Sequence, residues 1–282
     1  MYTVDELEDR LIDLAFAEDI GDGDHTTLCC IPEDAMGKSK LLIKEEGILA
    51  GVELAQRVFK RFDKDLKVDV MIQDGAHVHP GDVAFVVTGK VRSLLQTERL
   101  MLNIMQRMSG IATMTHKYME AIKGTGARVL DTRKTTPGMR IIEKQAVKIG
   151  GGTNHRIGLF DMILLKDNHV DFADGIGKAL DRCHQYLKDN NKDLKIEIEV
   201  RSMEELKEVL GHGGVDRIML DNFSVEETGK AVQLVNHRYE LESSGGITIE
   251  TIRAYAEQGV DFISVGALTH SVKGLDMSFK AC

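Results

Sequence analysis

The stretch LKIEIEVRSMEELKEVLGHGGVDRIMLDNFSVEETGKAVQLVNHRYELESSGGITIETIRAYAEQGVDFISVG (Leu194 to Gly266) decides the fold. Its apolar runs LKIEIEV, DRIMLD, YELESS and DFISVG are separated by helical stretches, the β-α repetition that builds a parallel sheet or barrel. The runs end on Glu199, Asp221-Asn222, Ser244-Gly245-Gly246 and Gly266. Steps of 22, 23 and 22 residues lead from Glu199 to Asp221, to Ser244 and to Gly266, a regular strand-helix-strand period. Two earlier runs, ARVLDT and DMILLK, end on Asp131-Thr132-Arg133-Lys134 and Lys166-Asp167. A barrel interior is filled by apolar side chains and its C-terminal strand ends line the active-site mouth. A charge at one element end is ordinary loop solvation; polar groups recurring at five consecutive strand ends point to a site.

Upstream the texture differs. After a helical start, MYTVDELEDRLIDLAF, come the alternating stretches SKLLIKEEGILAG (Ser39 to Gly51) and KVDVMIQDGAHVHPGDVAFVVTGKV (Lys67 to Val91). Breaks at Asp74-Gly75 and Pro80-Gly81 mark antiparallel strands with tight turns, packed beside helices. TERLMLNIMQRMSGIATMTHKYMEAI then reads as one long helix, with Leu100, Ile104, Ile111 and Met114 in an apolar stripe, linking two domains. The expected division is residues 1–110 and an α/β barrel over 111–269, with 270–282 packing back on the first domain.

Composition narrows the function. The 282 residues are 43% apolar and 29% charged, near the globular average and unlike disordered or fibrous chains. A net charge of −9 argues against nucleic acid as a partner, since phosphate-backbone binding wants a basic footprint, so any anion site is local. The acidic, amphipathic N-terminus lacks the features of a signal peptide and no run is long enough for a bilayer, so the expectation is a cytoplasmic protein with no membrane partner. Cys29, Cys30, Cys183 and Cys282 contain no CxxC pair and read as thiols of a reducing compartment.

The densest chemistry runs from DTRKTTPGMR (Asp131 to Arg140) through GGGTNHR (Gly150 to Arg156) to KDNH (Lys166 to His169). Arg133 and Arg156 can each grip a carboxylate or phosphate with two parallel hydrogen bonds, while Lys134 and Lys166 supply mobile point charges. Arg140 and Lys148 read equally well as surface cations in ordinary ion pairs. Gly150 to Gly152, Ser243 to Gly246 and Gly266 let backbone amides approach phosphate oxygens, though glycines are turn formers first. Glu199 and Asp221 can hold Mg²⁺ against a polyphosphate, bond ribose hydroxyls, or stabilise positive charge on a sugar. Glu197 shares a strand face with Glu199, which leaves open which one acts. His155 fits a donor to a carboxylate, a proton carrier, or a structural histidine. His77 and His79 form an HxH pair with no third ligand evident and read as structural. No GxxxxGK(S/T) loop occurs and no GxGxxG opens a helix, which removes the usual support for a nucleoside triphosphatase or a dinucleotide dehydrogenase.

DIGDGDHTT, GILAG, ERLMLNIMQRMSGIAT, DTRKTTPG, EKQAVKIGGGTNHRIGL, LLKDNH, EIEV, LDNF, SGGI and LTHSVKGLDMSFK together span almost the whole chain. In these segments the sequence resembles the quinolinate phosphoribosyltransferase family, decarboxylating nicotinate-nucleotide pyrophosphorylases of NAD synthesis. The resemblance implies an N-terminal α/β sandwich domain, an open-faced, TIM-like α/β barrel, and a homodimer in which Arg99 reaches the neighbouring subunit's site. From the residues alone Arg99 is a helix-surface cation. The resemblance further implies that Arg133, His155 and Arg156 bind the carboxylates of quinolinate, with Lys134 and Lys166 bridging toward the phosphates and Thr135 beside them. Glu199 and Asp221 would hold the ribose and the Mg²⁺ of phosphoribosyl pyrophosphate, and the backbone at Ser244, Gly245, Gly246 and Gly266 would take the 5′-phosphate. Lys134, Lys166, Glu199 and Asp221 carry the catalytic expectation. Departures from the family pattern are Gln145, where an aromatic residue is frequent, Lys148 in place of an arginine, and a GHGG stretch (Gly211 to Gly214) one residue longer. Two other readings remain: a barrel phosphoribosyltransferase acting on nicotinate or another pyridine-like acid without decarboxylation, and a non-catalytic phosphometabolite-binding barrel. The number of carboxylate-directed cations favours a dianion over the first. The carboxylates Glu199 and Asp221 speak against the second, because an anion binder gains nothing from them.

Overall fold

In the computed structural model, which describes residues 2–282, α1 (Val4–Ile20) starts at a capping box. Thr3 accepts the N–H of Glu6 and the Glu6 carboxylate accepts the N–H of Thr3, satisfying donors that the first turn leaves over. The chain continues through α2 (His25–Cys30), β1 (Met36–Ile43), β2 (Gly47–Ile48), α3 (Val52–Phe62), β3 (Lys67–Val70), β4 (His77–Val78) and β5 (Val83–Lys90). Gly75 and Gly81 take φ of 87° and 101° in the turns around β4, a left-handed backbone that a Cβ would strain. The long helix α4 (Val91–Ala121) follows, then β6 (Arg128–Leu130), α5 (Arg140–Ile149), β7 (Ile163–Leu165), α6 (Asp167–Phe172) and α7 (Ile176–Asp189). Strand and helix then alternate: β8 (Ile196–Val200), α8 (Met203–His212), β9 (Arg217–Asp221), α9 (Val225–Val235), β10 (Glu240–Ser244), α10 (Ile252–Ala256) and β11 (Phe262–Ser264). The chain closes with α11 (Ala267–His270) and β12 (Met277–Ala281).

These elements form two compact units. The first comprises residues 1–116, 135–151 and 267–282. Its sheet has the order β12-β1-β5-β3 and every pairing is antiparallel. Along β1 the side chains of Ser39, Leu41 and Ile43 are buried in alternation, as one covered face requires. Phe59 of α3 meets Phe85 of β5 edge-on at 6.0 Å and stacks on Phe279 of β12 at 6.1 Å, so α3 lies on that face and makes the unit a layered α/β structure.

The division differs from the expected 1–110 and 111–269. Helix α4 stays with the first unit through His116, and 135–151 belongs there too. Glu143 of α5 supplies a physical reason. Its carboxylate is fully buried and accepts Nε–H and Nη2–H of Arg107 at 3.1 and 2.8 Å, together with the N–H of Thr136 at 3.2 Å. Arg107 also donates to the carbonyl of Thr269 at 2.5 Å. One ion pair thus ties α4, α5 and α11. Gln145 donates to Glu8 of α1 at 2.6 Å, a use for the amide at a position where the family frequently has an aromatic ring.

The second unit comprises residues 117–134 and 152–266. Its six strands run parallel in the order β6-β11-β10-β9-β8-β7. Strands β6 and β7 are edges that do not pair with each other, so this is an open-faced α/β barrel. The strands are almost wholly buried, as parallel strands covered by crossover helices must be. Ser202 and Ser224 cap α8 and α9, and all six strands deliver their carboxyl ends to one rim. Among the described residues no helix is long and apolar enough to cross a membrane.

Removing one partner of a buried ion pair leaves an uncompensated charge and costs about 3–5 kcal/mol. Glu143→Ala is expected to lower unfolding free energy by that amount in urea denaturation; a loss below about 1 kcal/mol would show that Arg107 is readily satisfied elsewhere.

Candidate active site

Asp131, directly after β6, is fully buried. Its carboxylate accepts the Nδ2–H of Asn154 at 2.5 Å and the N–H of His155 at 2.9 Å, while Thr153 bridges to Leu130. The loop carrying His155 and Arg156 is thereby fastened to the end of β6. Arg156 is buried, and one of its Nη groups donates to the carbonyl of Met162 at 3.3 Å. Its pKa lies below the usual guanidinium value, first because of burial and second because of the like charge of Arg133. Arg133 is half-buried, and each of the two guanidinium groups can grip an anion by two parallel hydrogen bonds.

At the neighbouring strand ends, register explains the pairing. Leu165 of β7 lies opposite Ile198 of β8, so the next residues, Lys166 and Glu199, stand level, and the ammonium donates to the carboxylate at 3.1 Å. Asp221 of β9 lies opposite Ser244 of β10. Asn222, at φ 56°, donates its amide to Asp221 at 2.8 Å and its N–H to the Ser244 carbonyl at 2.8 Å. Gly245 and Gly246 have φ of 101° and 62°, and a Cβ on Gly245 would collide with the side-chain oxygen of Asn222. These glycines shape the backbone there. Gly266 is half-buried just beyond β11, whose preceding residue, Val265, donates its N–H to Leu130.

Inside the sheet, one layer below the rim, sits a charged cluster. His155 Nε2 lies 3.0 Å from Glu197 Oε2 and 3.4 Å from Glu242 Oε2, and Arg217 donates to Glu242 at 3.2 Å. Both carboxylates are fully buried. The Arg217 guanidinium also lies over the Phe262 ring, 3.9 Å from its centroid. Burial alone would lower the His155 pKa, and the N–H of Arg156, 2.7 Å from Nδ1, favours the neutral ring. The two carboxylates outweigh both and raise it to about 9. Burial, followed by the charge of Glu242, raises Glu197 to about 7. Burial opposes ionisation of Glu242 as well, but His155 and Arg217 hold its pKa below the ordinary value.

This geometry settles which glutamate faces the rim, since Glu199 meets Lys166 whereas Glu197 lies in the interior. One ring nitrogen of His155 faces the buried carboxylates and the other accepts the N–H of Arg156. The glycine run is corrected in part. The N–H of Gly150 ends α5 on the Ala146 carbonyl and that of Gly151 bonds Lys148, so neither is available to phosphate; a Cβ on Gly150 would strike the backbone of Ala112. Lys134 is exposed, with its N–H on Thr132 Oγ1. Thr135 and Arg99 belong to the first unit, Thr135 accepting from Arg140 at 3.0 Å and Arg99 on an exposed face of α4. Asp131 as an anchor, Asn154, Arg217 and Glu242 were not singled out for these roles from the sequence. Their signal lies in EIEV and ELESS, where a glutamate inside an otherwise apolar parallel strand demands a buried partner.

An open α/β barrel whose strand ends and adjoining loop carry Arg133, Arg156, Lys166, Glu199 and Asp221 defines the class: an α/β-barrel enzyme for anionic substrates. Models of the quinolinate phosphoribosyl transferase N-terminal and C-terminal domains match residues 24–109 and 111–280. The chain is 47% identical to the chloroplastic carboxylating nicotinate-nucleotide pyrophosphorylase of Arabidopsis thaliana, over 96% of this chain and 81% of that protein. It is 39% identical to a probable carboxylating nicotinate-nucleotide pyrophosphorylase of Bacillus subtilis, covering 95% and 91%. The solved nicotinate-nucleotide pyrophosphorylase of Francisella tularensis superposes with a TM-score of 0.92 at 40% identity, covering 100% of this chain and 98% of that one. The chain belongs to the quinolinate phosphoribosyltransferase family.

The raised pKa of His155 has a signed consequence. Below pH about 6.5 the ring is protonated whether the chain is folded or not, and the stabilisation from its charge is fully present; it is lost as pH rises through about 9. The gap in unfolding free energy between the parent and His155→Gln should therefore be widest below pH 6.5 and narrow toward pH 9. A gap constant across that range would place the charge elsewhere.

Proposed function

We propose that this protein is a quinolinate phosphoribosyltransferase, converting quinolinate and phosphoribosyl pyrophosphate to nicotinate mononucleotide, CO₂ and pyrophosphate in NAD biosynthesis. The observation that carries the reading is the placement of Arg133 just after β6 and of Arg156 in the loop that Asp131 fastens to the end of the same strand. Two guanidinium groups suit a substrate bearing two adjacent carboxylates, with His155 a further binding residue.

Lys134 and Lys166 neutralise the departing pyrophosphate, and the backbone at Ser244, Gly245, Gly246 and Gly266 takes the 5′-phosphate. Thr135, next to Lys134 in sequence, is a further binding residue in this reading. Glu199 and Asp221, on neighbouring strands, stabilise the ribose as it becomes oxocarbenium-like. The pyridine nitrogen then attacks C1′ as pyrophosphate leaves, and the 2-carboxylate departs as CO₂, its bonding electrons remaining on the ring carbon that takes up a proton. No covalent nucleophile is needed, because positioning and charge stabilisation lower the barrier. The hard oxygen donors of Glu199 and Asp221 suit Mg²⁺, which is held by one or two carboxylates plus substrate phosphates; when bound it would supply charge neutralisation at the pyrophosphate. We also infer a homodimer in which Arg99 of the partner subunit reaches the site. A reducing compartment such as the cytoplasm is supported by the free thiols of Cys29, Cys30, Cys183 and Cys282.

The test is incubation with quinolinate, phosphoribosyl pyrophosphate and Mg²⁺, scored by CO₂ and nicotinate mononucleotide. Product from nicotinate but none from quinolinate would overturn the substrate. Arg133→Ala and Lys134→Ala should each lower kcat/KM at least about a hundredfold with the fold intact, and chelation of Mg²⁺ should abolish turnover. Mixing inactive Arg99→Ala and Lys134→Ala chains should restore about a quarter of parent activity if each symmetric dimer shares residues across its interface; no recovery would argue against a shared site.

A further inference from the structure

His77 and His79 lie at and just beyond β4, two residues apart and so on one strand face. The fold adds a third histidine from far along the chain. Strand β4 pairs with β2 through Ile48 and His77, and the N–H of Ile48 donates to Thr113 Oγ1 of α4 at 2.8 Å. Three residues on from Thr113, on the same helical face, stands His116. Its Nε2 comes within 3.5 Å of the Nε2 of His77, with ring centroids 5.2 Å apart and planes at 81°. Buried Val78 and the Thr113 anchor hold the two backbones in this relation.

Two imidazole nitrogens bound to one tetrahedral zinc at 2.0–2.1 Å stand about 3.4 Å apart, close to the observed separation. A direct N–H···N bond between the rings would draw the nitrogens in to about 3 Å. The centroids are nearer than two rings pointing straight at each other would place them, so the rings converge on a point to one side of the line joining the nitrogens, as two ligands of a shared ion do. His79 stacks roughly parallel to His77, with centroids 6.4 Å apart, and its Nδ1 turns to Glu46 Oε1 at 3.9 Å, so the two-histidine pair stands by itself. His77 is exposed and His116 half-buried, leaving the nitrogens open to an ion from solvent.

We propose that His77 and His116 form a surface chelate for a borderline divalent transition ion of the Zn²⁺ class, completed by water. The imidazole set excludes Mg²⁺ as its natural occupant, since that ion prefers oxygen ligands. The bound ion clips β4 to α4 within the first unit, apart from the residues assigned to turnover.

The experiment measures Zn²⁺ affinity by competition with a chromogenic indicator in excess Mg²⁺, which occupies carboxylate sites without competing for imidazole. The full-length parent is expected to bind one Zn²⁺ saturably, and His77→Ala and His116→Ala each to weaken that binding at least about tenfold. Zn²⁺ should raise the Tm of the parent and not of either variant, while turnover of metal-free His116→Ala equals that of the parent. His77→Gln and His116→Gln repeat the measurement should an alanine variant fail to fold. Absence of a saturable site in the parent, or an undiminished site in the variants, overturns the proposal.

Discussion

The second unit is organised around four charges, two of them fully buried and two half-buried. Glu197 and Glu242 project from β8 and β10 into the sheet interior, where an unpaired carboxylate would cost far more than a hydrogen bond returns. His155 from a loop and Arg217 from β9 answer them, so the fold is consistent only when the loop closes over the strands with its ring inward. That requirement, together with the grip of Asp131 on the backbone and side chain of the same loop, fixes where Arg156 emerges. A surface loop of glycine, threonine and asparagine would otherwise have many conformations to choose from.

The rim depends on this buried layer. Arg156 is held in place by the grip of Asp131 on its loop and by its own bond to the Met162 carbonyl. Lys166 and Glu199 stand level because parallel pairing of β7 with β8 leaves each as the next residue after a matched pair. Strand register thus converts residues 33 positions apart into an ion pair.

In the first unit the comparable role belongs to Arg107 and Glu143. Their ion pair recruits α5 and α11, separated in sequence by residues 152–266 of the second unit, into company with α4. The return of β12 to pair with β1 has the same effect on the C-terminal residues. Each unit is therefore assembled from discontinuous segments joined by groups that are costly to leave unpaired.

The alternation of apolar runs with helical stretches, the regular spacing of polar strand ends, and the cations of DTRK and NHR were all legible in the sequence. Those features follow from local periodicity and from residue type. What the tertiary structure alone decided is which of two alternate glutamates faces the rim, where His155 points, and that 135–151 joins the first unit. Glu197 and Glu199 share a face, so periodicity cannot rank them; only depth along the barrel separates a buried partner of His155 from a partner of Lys166. Likewise HVH at residues 77–79 reads as an incomplete ligand set, because His116 lies 39 residues from His77 and meets it only after β2 is hydrogen-bonded to α4. The sequence by itself determined the architecture and the chemical character of the site, since both are written in local pattern and residue type. The pairing of charges was left to the fold, because long-range contacts depend on register and on the cost of burying a charge alone.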